Sequence, residues 1–412
     1  MRLIKGKWRR RITAAVATVL AVSSLGTLTA FASAPGPSAP LTDAQVKIVK
    51  SFETNYAGEG EDNIFPELTF AFGFKADQTE SSSQGDIPGI PEKTIKVPAA
   101  ASQNSKKVEK EGEPDRWVLT LETENVLEGV QFPHAGLYVY DVEEKEGAYT
   151  LGDYENLSCS DEKYKMYVYV ANIEEGTVVE TTEGNRSKGI YISSAALFKC
   201  KEDGTIDKEQ PGEYKADDLK FTNTFYRTAS LKVTNATVGQ YANRDKGFVY
   251  SLTLGENPAF GGKDSYTIKV VSGGKTQEIT IKPGETISDI KLADEDYFEI
   301  DPVLPEGITY KVVETLALEA NDPYTSKILG IYYKDRDGQE HSLIGNEEIK
   351  PGKDETTLVS DNHVIRYKHN QADFHNTNDI TPITGIIVNN LPFLLLILSA
   401  VGLIILLIAV GR

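Results

Sequence analysis

The stretch Gly136-Leu-Tyr-Val-Tyr-Asp-Val-Glu-Glu144 is rich in the aromatic and β-branched residues that strands favour. Successive side chains of a strand point to opposite faces, so Tyr138, Tyr140 and Val142 share one face. Glu144 lies at the end of that same face. The stretch therefore predicts a strand that packs one face into a core and carries a carboxyl group at its inner end.

Similar short runs recur along the chain, separated by Gly, Pro and Asp, and helical periodicity is nearly absent. This pattern is typical of an antiparallel β-sandwich. In the first half of the chain the predicted strands are Gln45–Glu53, Leu68–Lys75, Trp117–Glu122, Gly136–Glu144, Tyr164–Val170, Gly189–Leu197 and Leu219–Phe225.

The pattern restarts after Phe225, since four later runs repeat four earlier ones. The later runs are Ser230–Asn235, Phe248–Leu254, Ile308–Glu314 and Ala372–Thr377. Two copies of one module are the simplest explanation. We therefore predict an all-β chain with sandwich domains at residues 41–226 and 229–378. The predicted linker, Tyr226–Ala229, is too short to allow much hinging.

Three predicted strands of the first module each carry one polar residue on an otherwise apolar face. These residues are Lys50 on the first strand, Glu144 on the central strand and Asn223 on the closing strand. Lys and Glu are almost never fully buried unless they are paired. One explanation is a buried Lys–Glu ion pair with Asn as a hydrogen-bond partner, and the other is a covalent cross-link.

A cross-link has a direct chemical route in a dry core. Burial lowers the pKa of a lysine and raises that of a carboxylic acid, each by up to several units. A neutral amine can then attack a side-chain amide carbonyl. A protonated carboxyl group can polarise that carbonyl and move protons as ammonia leaves. The product is a Lys–Asn isopeptide bond, formed once and without turnover.

Three motifs of this chain resemble those of a known family. They are Val46-Lys-Ile-Val-Lys50, Gly136–Glu144 and Phe221-Thr-Asn-Thr224. They are similar to the motifs of streptococcal-type major pilins with isopeptide-bonded immunoglobulin-like domains, which are related to the B-repeat modules of the collagen adhesin. The resemblance implies two tandem immunoglobulin-like antiparallel domains. It also implies a bond between Lys50 and Asn223, with Glu144 as the catalytic residue.

The second module departs from this pattern at one position. Leu231-Lys-Val-Thr-Asn235 places Asn235 where the lysine is expected, and Lys232 lies on the opposite face. Glu314 and Asn376 are retained at the other two positions. Because no amine is supplied, we predict that this degenerate site forms no cross-link.

Both ends of the chain carry export and anchoring patterns. Residues 1–32 have a basic start, an apolar stretch and the sequence Ala30-Phe31-Ala32, which together are typical of a cleaved signal peptide. Residues 386–410 carry no charge and are largely apolar, which predicts a transmembrane helix because about 20 residues cross a bilayer.

The residues directly before this segment, Thr381-Pro382-Ile383-Thr384-Gly385, resemble the LPXTG sorting signal that sortases cut between Thr and Gly. The chain departs from that signal at Thr381, and the basic tail is reduced to Arg412. A simple membrane anchor with a Pro-Gly turn is the alternative. The position of the motif directly before the span favours the sorting signal.

The net charge of −18 becomes −24 once the basic signal peptide is removed. A surface this acidic excludes nucleic acid as a partner, because phosphate binding needs a basic surface.

Neither His-Glu-x-x-His nor Gly-x-Ser-x-Gly occurs, so no enzyme activity and no cofactor are predicted. Asp335-Arg-Asp-Gly338 lacks the rest of a calcium loop and indicates a hairpin turn, so no metal is predicted either.

Two further pairs of residues are candidates for special roles. Cys159 and Cys200 could pair across a predicted hairpin in an oxidising exterior, or remain free thiols.

The pilin resemblance implies an acceptor lysine shortly before the closing strand of the first domain. Lys215 and then Lys220 are the candidates, although no Tyr-Pro-Lys motif is present, and ordinary solvated lysines are the alternative.

These patterns together predict a structural protein of the Gram-positive cell surface, membrane-anchored before sorting. The predicted partners are a sortase and either neighbouring pilin subunits or peptidoglycan. The alternative is a monomeric wall-anchored adhesin that binds a host surface ligand. An extracellular hydrolase is disfavoured because no nucleophile and base are recognisable.

Overall fold

A computed structural model of the chain describes residues 41–55, 65–82, 86–98, 101–147, 149–206, 215–316, 323–334, 338–343, 349–350 and 355–379. The predicted signal peptide, sorting signal and transmembrane segment lie outside these residues. So does most of the predicted turn at Asp335–Gly338. Within the described ranges, no helix is long and apolar enough to cross a membrane.

Strand is the main regular structure of the described residues and helix is limited to two short turns, which confirms the all-β prediction. The elements before residue 217 include two one-turn helices. They are β1 (Leu41–Thr42), β2 (Ile48–Asn55), β3 (Thr69–Ala76), β4 (Lys93–Lys96), α1 (Ala101–Asn104), β5 (Lys106–Lys110), β6 (Glu113–Glu122), β7 (Gly136–Glu144), β8 (Glu155–Ser158), β9 (Lys163–Asn172), β10 (Val179–Glu180), α2 (Glu183–Arg186), β11 (Ile190–Cys200) and β12 (Lys215–Ala216).

The remaining described elements are all strands. They are β13 (Leu219–Val238), β14 (Phe248–Leu254), β15 (Tyr266–Ser272), β16 (Lys275–Ile281), β17 (Thr286–Leu292), β18 (Tyr297–Pro305), β19 (Thr309–Thr315), β20 (Thr325–Lys334), β21 (Glu340–Ser342), β22 (Thr357–Val359), β23 (His363–Val364) and β24 (Lys368–Thr377).

Strand β13 is 20 residues long and runs through both halves of the molecule. Every second side chain along it is buried, from Leu219 to Thr237, as the strand period requires. The first part of β13 pairs in parallel with β2, and the last part pairs in parallel with β24. The predicted linker at Tyr226–Ala229 is therefore wrong as a separate segment. Those residues stay in the strand because their backbone groups continue to pair, with β8 and then with β18.

The buried apolar residues form two clusters, which we call the first core (between Val46 and Phe225) and the second core (between Ala229 and Phe374). The first core has side chains from the sheet β12-β11-β9-β7-β3-β4 on one side and from β13, β2 and β6 on the other. The second core lies between β17-β14-β19-β22 and the strands β15, β18, β13, β24 and β20.

Side chains from both halves meet where the two cores adjoin. Asn55, at the end of β2, donates to the carbonyl oxygens of Phe260 and Glu306, each over 3.0 Å. It also accepts the backbone N–H of Phe260 over 2.8 Å. Arg227 is buried between Glu155 and Glu306, with nitrogen–oxygen distances of 3.5 and 3.8 Å. The two halves are thus joined by side chains as well as by β13.

Candidate cross-linking site

The candidate site of the first core is built by three strands from two facing sheets. In the parallel pair β2–β13, Lys50 is opposite Phe221 and Phe52 is opposite Asn223. Alternation then turns Lys50 and Asn223 to the same inward face, one step apart. Glu144 reaches them from β7 in the facing sheet. The structure thus brings together the three polar residues that the sequence singled out.

One carboxylate contacts both of the other groups. Lys50 Nζ lies 2.5 Å from Glu144 Oε2, and Asn223 Nδ2 donates to Glu144 Oε1 over 2.7 Å. The side chains of Lys50 and Glu144 are 0% and 1% exposed, and Asn223 is 0% exposed. Glu144 therefore bridges a buried amine and a buried amide nitrogen.

The surroundings of Lys50 combine apolar burial with contacts to aromatic rings and one carboxylate. Its Nζ lies 4.4 Å from the ring centre of Phe70 and 5.8 Å from that of Phe72. Burial lowers the pKa of Lys50 to about 8, and the charge of Glu144 offsets part of that effect. A substantial minority of neutral amine is therefore present at neutral pH, which is the form that can act as a nucleophile.

The orientation of the Asn223 amide is fixed by a donor on its other side. The backbone N–H of Ser160 donates to Asn223 Oδ1 over 2.7 Å. A backbone N–H can only donate, so its partner must be the oxygen, and the nitrogen must face Glu144. Sequence reasoning missed Ser160, because it lies outside the strand pattern and contributes a backbone group.

The site residues of the second core occupy equivalent positions. In the parallel pair β13–β24, Asn235 is opposite Phe374 and Thr237 is opposite Asn376. This repeats the register of the first core, with Asn235 in the place of Lys50. Glu314 on β19 is opposite Tyr250 on β14. In the first core, Glu144 is likewise opposite Phe72 on β3.

A network of neutral donors and acceptors fills this second site. Asn376 Nδ2 and the Tyr250 hydroxyl both donate to Asn235 Oδ1, over 2.9 and 3.0 Å. Asn235 Nδ2 donates to the carbonyl oxygen of Ala293 over 2.8 Å. Lys232 lies elsewhere, with its Nζ 3.9 Å from the ring centre of Tyr297. The position of the amine is therefore taken by an amide and a phenol.

Ser326 connects this network to Glu314. Asn376 presents its nitrogen to Asn235, so its oxygen is the group that accepts from the Ser326 hydroxyl. The Ser326 hydroxyl also donates to Glu314 Oε1 over 3.1 Å, so its single proton is shared between two acceptors.

The burial of Glu314 favours its protonated form. The residue is 0% exposed, and its Oε2 has no hydrogen-bond partner among the described residues. Burial raises the pKa of Glu314 to about 7.

Sequence reasoning found Glu314 but missed Ser326 and Tyr250. Tyr250 could have been found, because it aligns with Phe72 and differs from it by a hydroxyl.

Both cysteines are free in the structure, which corresponds to the free-thiol alternative. The register of β9 and β11 places Lys163, not Cys159, opposite Cys200. Cys159 lies just beyond β8, which pairs with β13 in the other sheet. Burial raises the pKa of the Cys200 thiol to about 11.

The two acceptor-lysine candidates lie near the start of β13. The backbone of Lys215 pairs with Phe198 at the edge of its sheet. Lys220 is exposed and lies on the opposite face of β13 from Asn223.

Among the described residues, no group of three or more His, Cys, Asp or Glu side chains is placed to hold a metal ion.

Comparison with known proteins gives two kinds of match. Residues 229–377 match the family model described as "Domain of unknown function (DUF7601)", which covers the second core and less than half of the chain. No curated protein matches the chain.

Solved structures similar to this chain come from streptococcal pili. The major pilin from Streptococcus pyogenes is 17% identical, over 82% of this chain and 99% of that chain, with a TM-score of 0.34. The major pilin T3.2 from S. pyogenes serotype GAS13637 is 22% identical, over 81% and 98%, with a TM-score of 0.30. The pilus-presented adhesin Spy0125 is 14% identical, over 82% and 100%, with a TM-score of 0.25. Because these TM-scores are low, the function proposed below rests on this chain's own residues.

Proposed function

We propose that this chain is a structural subunit of the Gram-positive cell surface, of the pilin type, whose first core is closed by a Lys50–Asn223 isopeptide bond. The observation that carries the proposal is the buried Glu144 carboxylate, which contacts the nucleophilic amine and the amide nitrogen that would leave. The fold is then a load-bearing scaffold, and the chemistry occurs once per molecule.

Glu144 is placed to move both protons of the reaction. Its Oε2 takes a proton from Lys50, and the neutral amine attacks Cγ of Asn223. Its Oε1 lies beside Asn223 Nδ2, which must gain a proton before it leaves as ammonia. Burial excludes water from the amide carbon, so aminolysis does not compete with hydrolysis.

The mass of the exported chain tests this bond. We expect the loss of one ammonia, mapped by peptide mass spectrometry to a linked Lys50–Asn223 peptide. The Glu144→Ala variant should keep its full mass. The matched change in the second core, Glu314→Ala, should leave the loss of one ammonia unchanged. An unmodified mass for the wild-type chain would contradict the proposal, and two losses would contradict the predicted difference between the cores.

Surface attachment is proposed to pass through Thr384 of the sorting-like motif. The Thr384→Ala variant should remain in the membrane fraction instead of becoming covalently attached to the wall or to a polymer. Wall extracts distinguish a polymerised subunit, which gives an SDS-resistant ladder, from a monomeric adhesin, which gives one band. If the ladder persists undiminished in a Lys215→Ala, Lys220→Ala double variant, neither lysine is the acceptor.

A further inference from the structure

The backbone N–H of Ser160 is directed at the reacting amide by the way strand β8 ends. Strand β8 pairs with β13 from Glu155, opposite Arg227, to Ser158, opposite Thr224. The chain leaves the ladder after Ser158, so the N–H of Ser160 is not used in strand pairing. It donates instead to Asn223 Oδ1 over 2.7 Å.

This oxygen is where negative charge develops during cross-linking. When Lys50 Nζ attacks Cγ, the electron pair of the carbonyl moves onto Oδ1. Glu144 is hydrogen-bonded to the two nitrogens, Lys50 Nζ and Asn223 Nδ2. In the described part of the chain, the hydrogen bond to Oδ1 comes from Ser160. Donors 2.7–3.1 Å from a developing oxyanion are the geometry that stabilises it.

We propose that the backbone N–H of Ser160 is the oxyanion donor of the cross-linking reaction. The inference rests on the proposed isopeptide chemistry and adds a catalytic group to it. It also revises the role of Glu144, which transfers protons between the two nitrogens while Ser160 holds the oxygen.

The atoms balance without any other reactant. Lys50 begins as an ammonium group and gives one proton to Glu144. The bond between Nζ and Cγ forms, and Oδ1 becomes an oxyanion held by the Ser160 N–H. Glu144 returns its proton to Nδ2, the Cγ–Nδ2 bond breaks, and ammonia leaves as the carbonyl re-forms. The second proton of Nζ then passes to Glu144, which leaves a neutral isopeptide and a protonated carboxyl group.

Replacement of the single N–H by oxygen tests the proposal. The full chain is made by cell-free synthesis with an α-hydroxy acid in place of residue 160, which turns that amide into an ester. Lactic acid gives the ester counterpart of Ser160→Ala, so the two chains differ only at this backbone atom. Ammonia loss from the Lys50–Asn223 peptide is followed by mass spectrometry, and only trypsin-resistant, folded molecules are counted.

Ser160→Ala keeps the N–H and forms the bond, so its rate is the reference for the ester chain. The ester chain should form it about 10²-fold more slowly, as for the loss of one oxyanion donor elsewhere. An ester placed at Asp161 is the matched control and should leave the rate unchanged. Ser160→Pro, which also lacks the N–H, is the second variant if the ester chain folds poorly.

The result also separates two failures. If the ester and Ser160→Pro chains form the bond as fast as Ser160→Ala after folding, the role of Ser160 is wrong and the cross-link stands. If the wild-type chain loses no ammonia, the proposed cross-link itself is wrong. A purely structural role for Ser160 would delay trypsin resistance but not the interval between resistance and bond formation.

Discussion

The two cores place the same strand register around different polar groups. In the first core, a buried Lys50 and Asn223 share one carboxylate, and the neighbouring ring on β3 is Phe72. In the second core, Asn235 stands at the lysine position, and the neighbouring ring is that of Tyr250. Equivalent backbone positions therefore hold an amine–carboxylate pair in one core and a network of amide, phenol and hydroxyl hydrogen bonds in the other.

The difference shows that the lysine and the aromatic residue change together. A buried lysine needs a carboxylate as its partner, and its side chain can pack next to a phenyl ring. An asparagine at the same position has an oxygen that needs donors, and the Tyr250 hydroxyl is one of them. Loss of the Tyr250 hydroxyl alone would leave Asn235 Oδ1 with Asn376 as its one donor, and the loss of one such hydrogen bond costs about 1 kcal/mol.

The largest expected effect concerns the bond itself. The Lys50→Met, Glu144→Gln variant removes the amine and the charge together and should lower the free energy of unfolding of the first core by about 5 kcal/mol. This is the chain-entropy value for closing a loop of this length. Trp117 packs against the first core, so urea unfolding followed by its fluorescence measures the change.

The comparison of cores supplies the control for this measurement. Glu314→Gln should leave the Trp117 transition where it is in the wild type. In the wild type, hydrogen exchange should show that β24 opens at lower urea than β2. If the double variant and the wild type unfold within about 1 kcal/mol of each other, the first core has no covalent closure.

The next effect is a pH dependence confined to the second core. The folded-state pKa of Glu314, about 7, lies above its ordinary value of 4.5. The folded chain therefore binds more protons than the unfolded chain between these values. Stability is full below pH 4.5, falls as pH rises to 7, and is then lower by about 3 kcal/mol. Hydrogen exchange of the β24 amides across this range measures the loss.

Glu314→Gln separates this group from the many other carboxylates of the chain. A glutamine does not titrate, so we expect β24 protection to lose most of its dependence between pH 4.5 and 7. Equal slopes in the variant and the wild type would show that Glu314 is not protonated in the folded state.

The smallest effect concerns the tyrosine hydroxyl. Tyr250→Phe removes one of the two donors to Asn235 Oδ1 and should cost about 1 kcal/mol in the second core. The reciprocal change, Phe72→Tyr, adds a hydroxyl beside Lys50 and should destabilise the first core. Denaturant midpoints of the two variants test the pair. If the Phe72→Tyr chain is as stable as the wild type, the choice of ring does not depend on the polar residue beside it.

Strand patterns made most of the site predictable, and loops account for most of what was missed. Lys50, Glu144 and Asn223 were recognised because each is a polar residue on a strand face that is otherwise apolar. Ser160 could not be recognised, because any residue except proline supplies a backbone N–H. Cys159 does not lie opposite Cys200, because the chain changes sheets between β8 and β9, which a hairpin register does not anticipate.

By itself, the sequence determined the all-β class, the two-fold repetition and the polar residue on each inward face, because alternation is a local property of the chain. Only the tertiary structure decided that β13 runs unbroken through both cores, which depends on partners more than a hundred residues away in sequence. It also decided which hydrogen bonds each buried group makes. Hydrogen bonds have direction, and that direction fixes the orientation of the Asn223 amide, which no pattern of polar and apolar residues records.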